Sequence, residues 1–284
     1  MKTIRSRDNP VYKRLARLAL TSQARKREGL SVLDGVHGVQ AYLERVGAPS
    51  ILAVSESGIT RAEVAALLLK HRIEPLVLAD PLFKAVSHVE HGPGLLAAIE
   101  TPQPALPATI ATDCLLIEHL QDPGNLGSLL RSAAAAGVRR VILSPHTVYA
   151  WSPKVLRAGQ GAHFSLVIHE GVDLPAVASR LRVPLLATSA RAPLSLYRTD
   201  LKRPLAWLLG NEGAGVSAAM LALATHIIGV PLANDTESLN VAAAGAVCMF
   251  ETLASAAARW ERPWARMVRN DEPRRIADRA QGRS

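Results

Sequence analysis

Three glycine-bearing turns hold most of the residues in this chain that could carry out chemistry. In the first, residues 118–137 (EHLQDPGNLGSLLRSAAAAG), Pro123-Gly124 predicts a tight turn and Asn125 has the side chain of a helix N-cap. Arg131 follows on the helix, among Leu126, Leu129, Leu130, Ala133 and Ala134, where a charge needs a reason. Taken alone, an arginine snorkelling beside a capped helix explains it. In the second turn, residues 208–217 (LLGNEGAGVS), Gly210, Gly213 and Gly215 directly follow an apolar strand, so backbone there can approach a ligand closely. The order G-x-x-G-x-G is not the dinucleotide fingerprint, and no Gly-Lys-Ser/Thr follows to make a phosphate loop. Glu212 in that turn is either functional or a cap for the next helix. In the third, residues 230–251, Ser238 can cap a long helix and Asn240 sits in its first turn, which is a sufficient structural account of each.

Turns after strands need a sheet to position them. From residue 114 onward, apolar runs at 114–120, 139–145, 163–170, 184–189, 205–210 and 226–231 alternate with helical stretches at 125–137, 152–159, 173–182, 216–224 and 238–260. Nearly continuous apolar strands separated by helices predict a mainly parallel sheet covered on both faces. Ligands of such sheets bind beyond the carboxyl ends of the strands, where all three turns lie. A smaller α/β unit is predicted upstream, with strands at 31–34, 51–57, 75–80 and 94–100 and helices near 36–46 and 61–71. Pro102, Pro104 and Pro107 mark an extended linker between the two. The expected division is therefore 1–100, a linker at 101–110, a second domain at 111–260 and a basic tail at 261–284.

With 284 residues, 49% of them apolar and 20% charged, the composition is globular. No apolar run is long enough to span a bilayer, and the first residues lack the apolar core of a secretory signal, so a cytoplasmic protein is expected. Cys114 and Cys248 make neither a disulfide framework nor a zinc set, and the spacing of His88 and His91 is a weak metal signal, so no metal is expected. The net charge of +9 is concentrated at the ends: +7 in residues 1–30, +4 in 259–284 and −2 between them. Basic arms on a neutral body suit a polyanion, although solvated tails would give the same count. A membrane surface fits less well, because the arms lack an aromatic apolar face.

Together the three turns closely resemble the three motifs of the SpoU/TrmH family of RNA 2′-O-ribose methyltransferases, of the SPOUT class. The run D-P-x-N-x-G-x-x-x-R-x-A-x-x-x-G is matched from Asp122 to Gly137, G-x-E-x-x-G by Gly210, Glu212 and Gly215, and the last motif by Pro231 and Ser238-Leu239-Asn240-Val241. Residues 152–164 resemble the family's S-x-K-x-x-R-A-S-x-G-A segment, with Gly159 in place of its serine. Ala242 and Ala243 also stand where the family often has Ser-x-Ala. Upstream, residues 35–43 resemble the G-x-H-x-V-x-x-x-L segment of the small RNA-binding domain that many members carry.

The resemblance implies an α/β fold whose parallel sheet is threaded into a trefoil knot, S-adenosylmethionine as cofactor, and ribose methylation of structured RNA by a homodimer. It places Gly210, Val230 and Leu239 at the cofactor, with Thr188 a weaker candidate. It places Arg131 and Asn125 at the reacting ribose, with Glu212, Ser238 and Asn240 shaping the site. An arginine holds its proton too firmly to be an easy base, so Arg131 is either an acceptor in a special environment or a fork on the target phosphate. Ribosomal RNA is expected over tRNA, because the family's rRNA members commonly carry a separate N-terminal domain. The competing readings are a tRNA ribose methyltransferase, a catalytically silent RNA-binding or ribosome-assembly protein on this scaffold, and a nucleotide-dependent enzyme of ordinary open α/β fold.

Overall fold

The computed structural model describes residues 3–234 and 236–256. Its first part contains β1 (Thr3–Ile4), α1 (Pro10–Leu20), α2 (Ser22–Glu28), β2 (Leu30–Asp34), α3 (Val36–Arg45), β3 (Ile51–Ser55), α4 (Ala62–His71), β4 (Leu76–Leu78), α5 (Asp80–Lys84) and β5 (Leu95–Glu100). The strands form one mixed sheet in the order β1-β4-β3-β5-β2, with β5 antiparallel to both its neighbours.

The basic N-terminal stretch is two packed helices here, not an arm. Asn9 caps α1 through the amides of Val11 and Tyr12, with Pro10 at the first helical position. Tyr12, Leu15, Leu18 and Ala19 are buried on one face of α1, while Lys13, Arg14 and Arg17 stay outside. Arg25 is buried, and its Nη1 donates to the Leu18 and Ala19 carbonyls at 2.8 and 3.0 Å, closing the end of α1. Helix periodicity therefore coexists with the charge count that suggested an arm.

The second part contains β6 (Cys114–Ile117), α6 (Pro123–Ala135), β7 (Arg140–Leu143), α7 (Pro153–Gly159), β8 (Val167–His169), α8 (Leu174–Ala178), β9 (Leu185–Thr188), β10 (Leu194–Ser195), β11 (Ala206–Leu209), α9 (Ala218–Leu223), β12 (His226–Gly229) and α10 (Val241–Ser255). Seven strands lie in the order β10-β12-β9-β11-β6-β7-β8, and every pairing between them is parallel. The two-residue β10 carries no periodicity and was not foreseen. The long C-terminal helix starts at Val241, three residues later than its sequence pattern, and 257–260 lie outside the described residues.

Small residues set how closely the helices pack. A Cβ on Gly127 of α6 would lie 2.3 Å from Ala158 Cβ and 2.9 Å from Val155 O, so α6 and α7 cross almost backbone to backbone. A Cβ on Gly245 of α10 would lie 2.4 Å from Leu129 and 2.6 Å from Leu209. The same helix is anchored to β11 by Trp207 Nε1 donating to Thr252 Oγ1 at 3.0 Å.

The two sheets share one apolar cluster. Gly161, at φ +83, faces α3, where its Cβ would meet that of Ala41 at 2.5 Å. Tyr42 meets Phe164 edge-on at 5.2 Å, and the Arg45 guanidinium donates to Ser165 Oγ. His163 is buried beside this contact, with Nε2–H donating to Ala150 O at 2.9 Å and Nδ1 without a partner among the described residues. Burial pushes its imidazole down to about 4, against the weaker opposing effect of that carbonyl. The unfolded chain therefore takes up a proton below about pH 6.5 that the folded chain refuses. Stability contributed by neutral His163 is complete above that pH and is lost as pH falls toward 4. Urea titrations at pH 7 and pH 5 should show roughly 2 kcal/mol less stability from this group at the lower pH. The difference should shrink in His163→Gln, which keeps a donor for Ala150 O.

Candidate active site

At the end of β6 the apolar strand stops on Glu118, a buried carboxylate. Its Oε2 accepts from Ser217 N at 2.8 Å and its Oε1 from Ser217 Oγ at 2.7 Å, tying the start of α9 to the end of β6. A charge ending an apolar run was the available sequence signal for this residue, and it was missed.

Asp122, not Asn125, caps α6: its Oδ1 accepts from Asn125 N at 2.7 Å. The Asn125 side chain is left to bridge the other two motifs. Its Nδ2 donates to Glu212 Oε1 at 3.3 Å, and its Oδ1 accepts from Asn240 Nδ2 at 2.9 Å. Asn240, not Ser238, caps α10, with Oδ1 accepting from the amides of Ala242 and Ala243. Glu212 also accepts from Gln121 N at 3.2 Å and Asp122 N at 2.9 Å. Glu212, Asn125 and Asn240 thus form one hydrogen-bonded junction of three loops widely separated in sequence.

Partial burial alone would raise the Glu212 carboxyl. The amides of Asp122, Glu212 itself and Gln121, with the Asn125 side chain, outweigh that and hold it below the usual carboxylate range. Its contribution is therefore present above that range and is lost only as pH falls through the lowered value. Asn211 supports the same turn, donating to His119 O at 2.8 Å and accepting from the amides of Gly213 and Ala214 at 3.0 Å. An asparagine in a glycine turn signals this role, but it was not singled out from sequence.

Beside the junction lies a cleft of about 470 Å³ at the carboxyl ends of β9, β11 and β12, within the range of small-molecule sites. Thr188, Gly210, Val230 and Leu239 all line it, as do Glu212 and Ser238. Ile228, Leu232 and Val241 add apolar wall. The Thr188 hydroxyl is engaged with Leu208 O at 3.3 Å. Gly210 is required for a reason other than ligand clearance: a Cβ there would lie 2.1 Å from Gly215 C and 2.2 Å from Val216 N. Residues 210–216 close on themselves, with reciprocal amide–carbonyl bonds between Asn211 and Gly215.

Asn125, Asn240 and Arg131 do not line this cleft. Arg131 is exposed on α6, and its guanidinium bonds to none of the described residues. The structure therefore gathers eight of the nine sequence candidates in the junction and the cleft, and leaves Arg131 facing solvent outside both.

Among the described residues, no cluster of three or more His, Cys, Asp or Glu is placed to hold a metal ion, and no helix is long and apolar enough to cross a membrane. The His88 ring is occupied by Ala19 O at 2.9 Å. Burial pushes both Cys114 and Cys248 thiols up to about 12, which leaves them unreactive.

Residues 114–250 match the model of the SpoU rRNA Methylase family. The chain is 32% identical over 254 residues to an uncharacterized tRNA/rRNA methyltransferase of Synechocystis, covering 88% of this chain and 92% of that one. It is 31% identical over 253 residues to the Bacillus subtilis 23S rRNA (guanosine(2553)-2′-O)-methyltransferase RlmP, covering 88% and 98%. Among solved structures it superimposes on an RNA 2′-O ribose methyltransferase with a TM-score of 0.77 and 27% identity, covering 90% of this chain and all of that one. The fold is shared with AviRb, a SpoU methyltransferase of Streptomyces viridochromogenes, at a TM-score of 0.76 and 24% identity over 88% of this chain and 100% of that one. Three motifs meeting at one junction, and full-length relatives above 30% identity, lead to one conclusion: this chain belongs to the SpoU rRNA methylase family.

Proposed function

We propose that the chain is an S-adenosylmethionine-dependent RNA 2′-O-ribose methyltransferase acting on ribosomal RNA. The observation that carries this reading is the Glu212–Asn125–Asn240 junction at the rim of the glycine-walled cleft. A cleft for a cofactor and a polar cluster for a hydroxyl-bearing substrate then lie side by side. The names of the relatives point the same way, since RlmP is a 23S rRNA 2′-O-methyltransferase.

The residues present fit the cofactor. Backbone at Gly210, Val230 and Leu239 would hold the adenosine part, with Thr188 beside it and Ile228 and Val241 supplying apolar contact. When bound, S-adenosylmethionine supplies an electrophilic methyl group. The chain's task is to hold a ribose hydroxyl in line with that methyl and to accept or relay its proton. Asn125 and Asn240 fix the polar rim, Glu212 locks the motif-one loop to the cleft wall, and Ser238 presents a hydroxyl at its edge. Exposed and hydrated, Arg131 suits a fork gripping the target phosphate better than a base.

The same reading assigns residues 1–100 to RNA binding, 101–110 to a linker, 111–260 to catalysis and 261–284 to a basic tail that lies outside the described residues. The exposed basic side of α1 and α2 supports the first assignment. A homodimer is supported by α10, an almost wholly apolar helix whose Phe250 remains 45% exposed in the single chain. A trefoil knot is supported by strand order. The last strand, β12, lies between β9 and β10, and residues 189–194 arch over Gly229, where a Cβ would lie 3.3 Å from Ser189 O. Action on ribosomal RNA supports a cytoplasmic location, with neither metal nor membrane required.

The test is labelled methyl transfer from S-adenosylmethionine to rRNA and tRNA fractions from a strain lacking the gene. Ribose-linked label on the rRNA fraction is expected. Label on tRNA alone would replace the substrate, and neither label nor cofactor binding would leave a silent RNA-binding protein.

A further inference from the structure

The site described so far uses the carboxyl ends of β9, β11 and β12. A second crevice, of about 540 Å³, opens at the carboxyl ends of β7 and β8 on the other side of β6. It is walled by Tyr149, His146 and Glu170 from the catalytic part, by Pro102 and Pro104 of the linker, and by Lys26 of α2.

Its walls are built rather than incidental. Glu170 Oε1 accepts from Ala150 N at 2.7 Å. His169 accepts from Arg140 at Nε2, at 2.6 Å, and donates from Nδ1 to Pro104 O at 3.2 Å, so the linker is pinned to the end of β8. The Lys26 ammonium sits 5.4 Å over the Tyr149 ring, placing a cation beside a half-buried aromatic face at the mouth. This cation belongs to the segment that carries a net charge of +7.

The crevice is also mechanically continuous with the first site. Gln121 donates from its backbone to Glu212 and from Nε2 to His146 O at 2.6 Å and His119 O at 3.0 Å. His119 and His146, with ring centroids 6.1 Å apart, are both exposed and both left-handed, at φ +52 and +64. Left-handed backbone at a residue other than glycine costs energy and persists where surrounding structure enforces it. Here it presents two imidazoles on the strip between the two sites.

We propose that this crevice takes a second nucleobase of the substrate RNA, unstacked from the strand near the methylated nucleotide, with Lys26 on the adjoining phosphate. Single-stranded RNA is read by splaying bases onto aromatic and planar side chains and satisfying their polar edges. The crevice offers Tyr149 and the proline rings for the faces, with Glu170 and Thr147 for an edge. The proposal rests on the RNA methyltransferase reading and adds where the strand runs beyond the reacting ribose.

The experiment uses the full chain and the RNA fraction that the wild type labels. Lys26→Ala, Tyr149→Ala and His146→Asn are compared with Tyr149→Phe; asparagine tolerates the left-handed backbone at 146. Expected is a rise in KM for RNA of roughly 5- to 150-fold in Tyr149→Ala, the range for lost base stacking, with recovery in Tyr149→Phe. S-adenosylmethionine affinity and kcat should stay unchanged. RNA carrying 4-thiouridine or 6-thioguanosine should crosslink on irradiation to residues 144–150. Unchanged KM in Lys26→Ala and Tyr149→Ala, with crosslinks confined to 119–131 and 210–240, would overturn the proposal and leave the methyltransferase reading standing. A wild type that neither methylates nor crosslinks to any RNA would take down both.

Discussion

Arg131→Ala should lower methyl transfer to RNA by about two to three orders of magnitude, the loss typical of one electrostatic contact made in a transition state. The same variant should unfold at the wild-type temperature. Arg131 is exposed on α6 and bonds to none of the described residues, and alanine is the better helix former. Cofactor affinity should also hold, since Arg131 lies outside the cleft. Clean separation of activity from stability and cofactor binding makes the kinetics readable. If the guanidinium grips a phosphate equally in ground and transition states, KM for RNA rises and kcat stays. If it acts only as the hydroxyl reacts, kcat falls and KM stays. Arg131→Lys separates geometry from charge, because a lysine cannot reproduce a planar fork. Transfer within threefold of wild type in Arg131→Ala would remove this residue from the reaction.

Strand-and-turn alternation made the parallel sheet legible, and the motif order made the family legible, because both are local patterns in sequence. Cap identity was not. Asp122 and Asn125 are both good caps, three residues apart, and only the paths of β6 and α6 decide that Asp122 takes the helix amide. That choice frees Asn125 for its bridging role, so a small local ambiguity hid the central connection of the site. Asn240 and Ser238 pose the same problem at α10. Glu118 and Gln121 were overlooked because their partners, Ser217 and Glu212, lie 99 and 91 residues away in sequence. The N-terminal helices were overlooked because a count of charges ignored that Tyr12, Leu15, Leu18 and Ala19 fall on one helical face. Among the described residues Arg131 has no partner. Its assignment rests on the motif, which no geometry within the described residues replaces.

Gly210→Ala should abolish measurable S-adenosylmethionine binding, and methyl transfer with it, by acting on the cleft wall rather than on the ligand. Three backbone atoms of Gly215 and Val216 lie 2.1 to 2.2 Å from the position of a Cβ at residue 210. These are main-chain atoms, so no side-chain rotation can make room. The loop must open, breaking the reciprocal Asn211–Gly215 bonds and shifting Glu212 away from the amides of Gln121 and Asp122. These groups are largely exposed and can turn to water, so each lost bond costs about 0.5–1.5 kcal/mol, and a decrease in folding stability of a few such bonds should accompany the loss of binding. Calorimetric titration with S-adenosylmethionine, beside thermal unfolding of the apo protein, checks both parts. Gly213→Ala is the internal control, since the nearest atom to a Cβ there is Asn211 Oδ1 at 3.7 Å. It should bind the cofactor within a fewfold of wild type. Equal losses in the two variants would mean that glycine serves ligand approach along the whole turn. Loss confined to residue 210 would mean that the turn needs glycine there chiefly to close upon itself, with the cofactor reading the wall so formed.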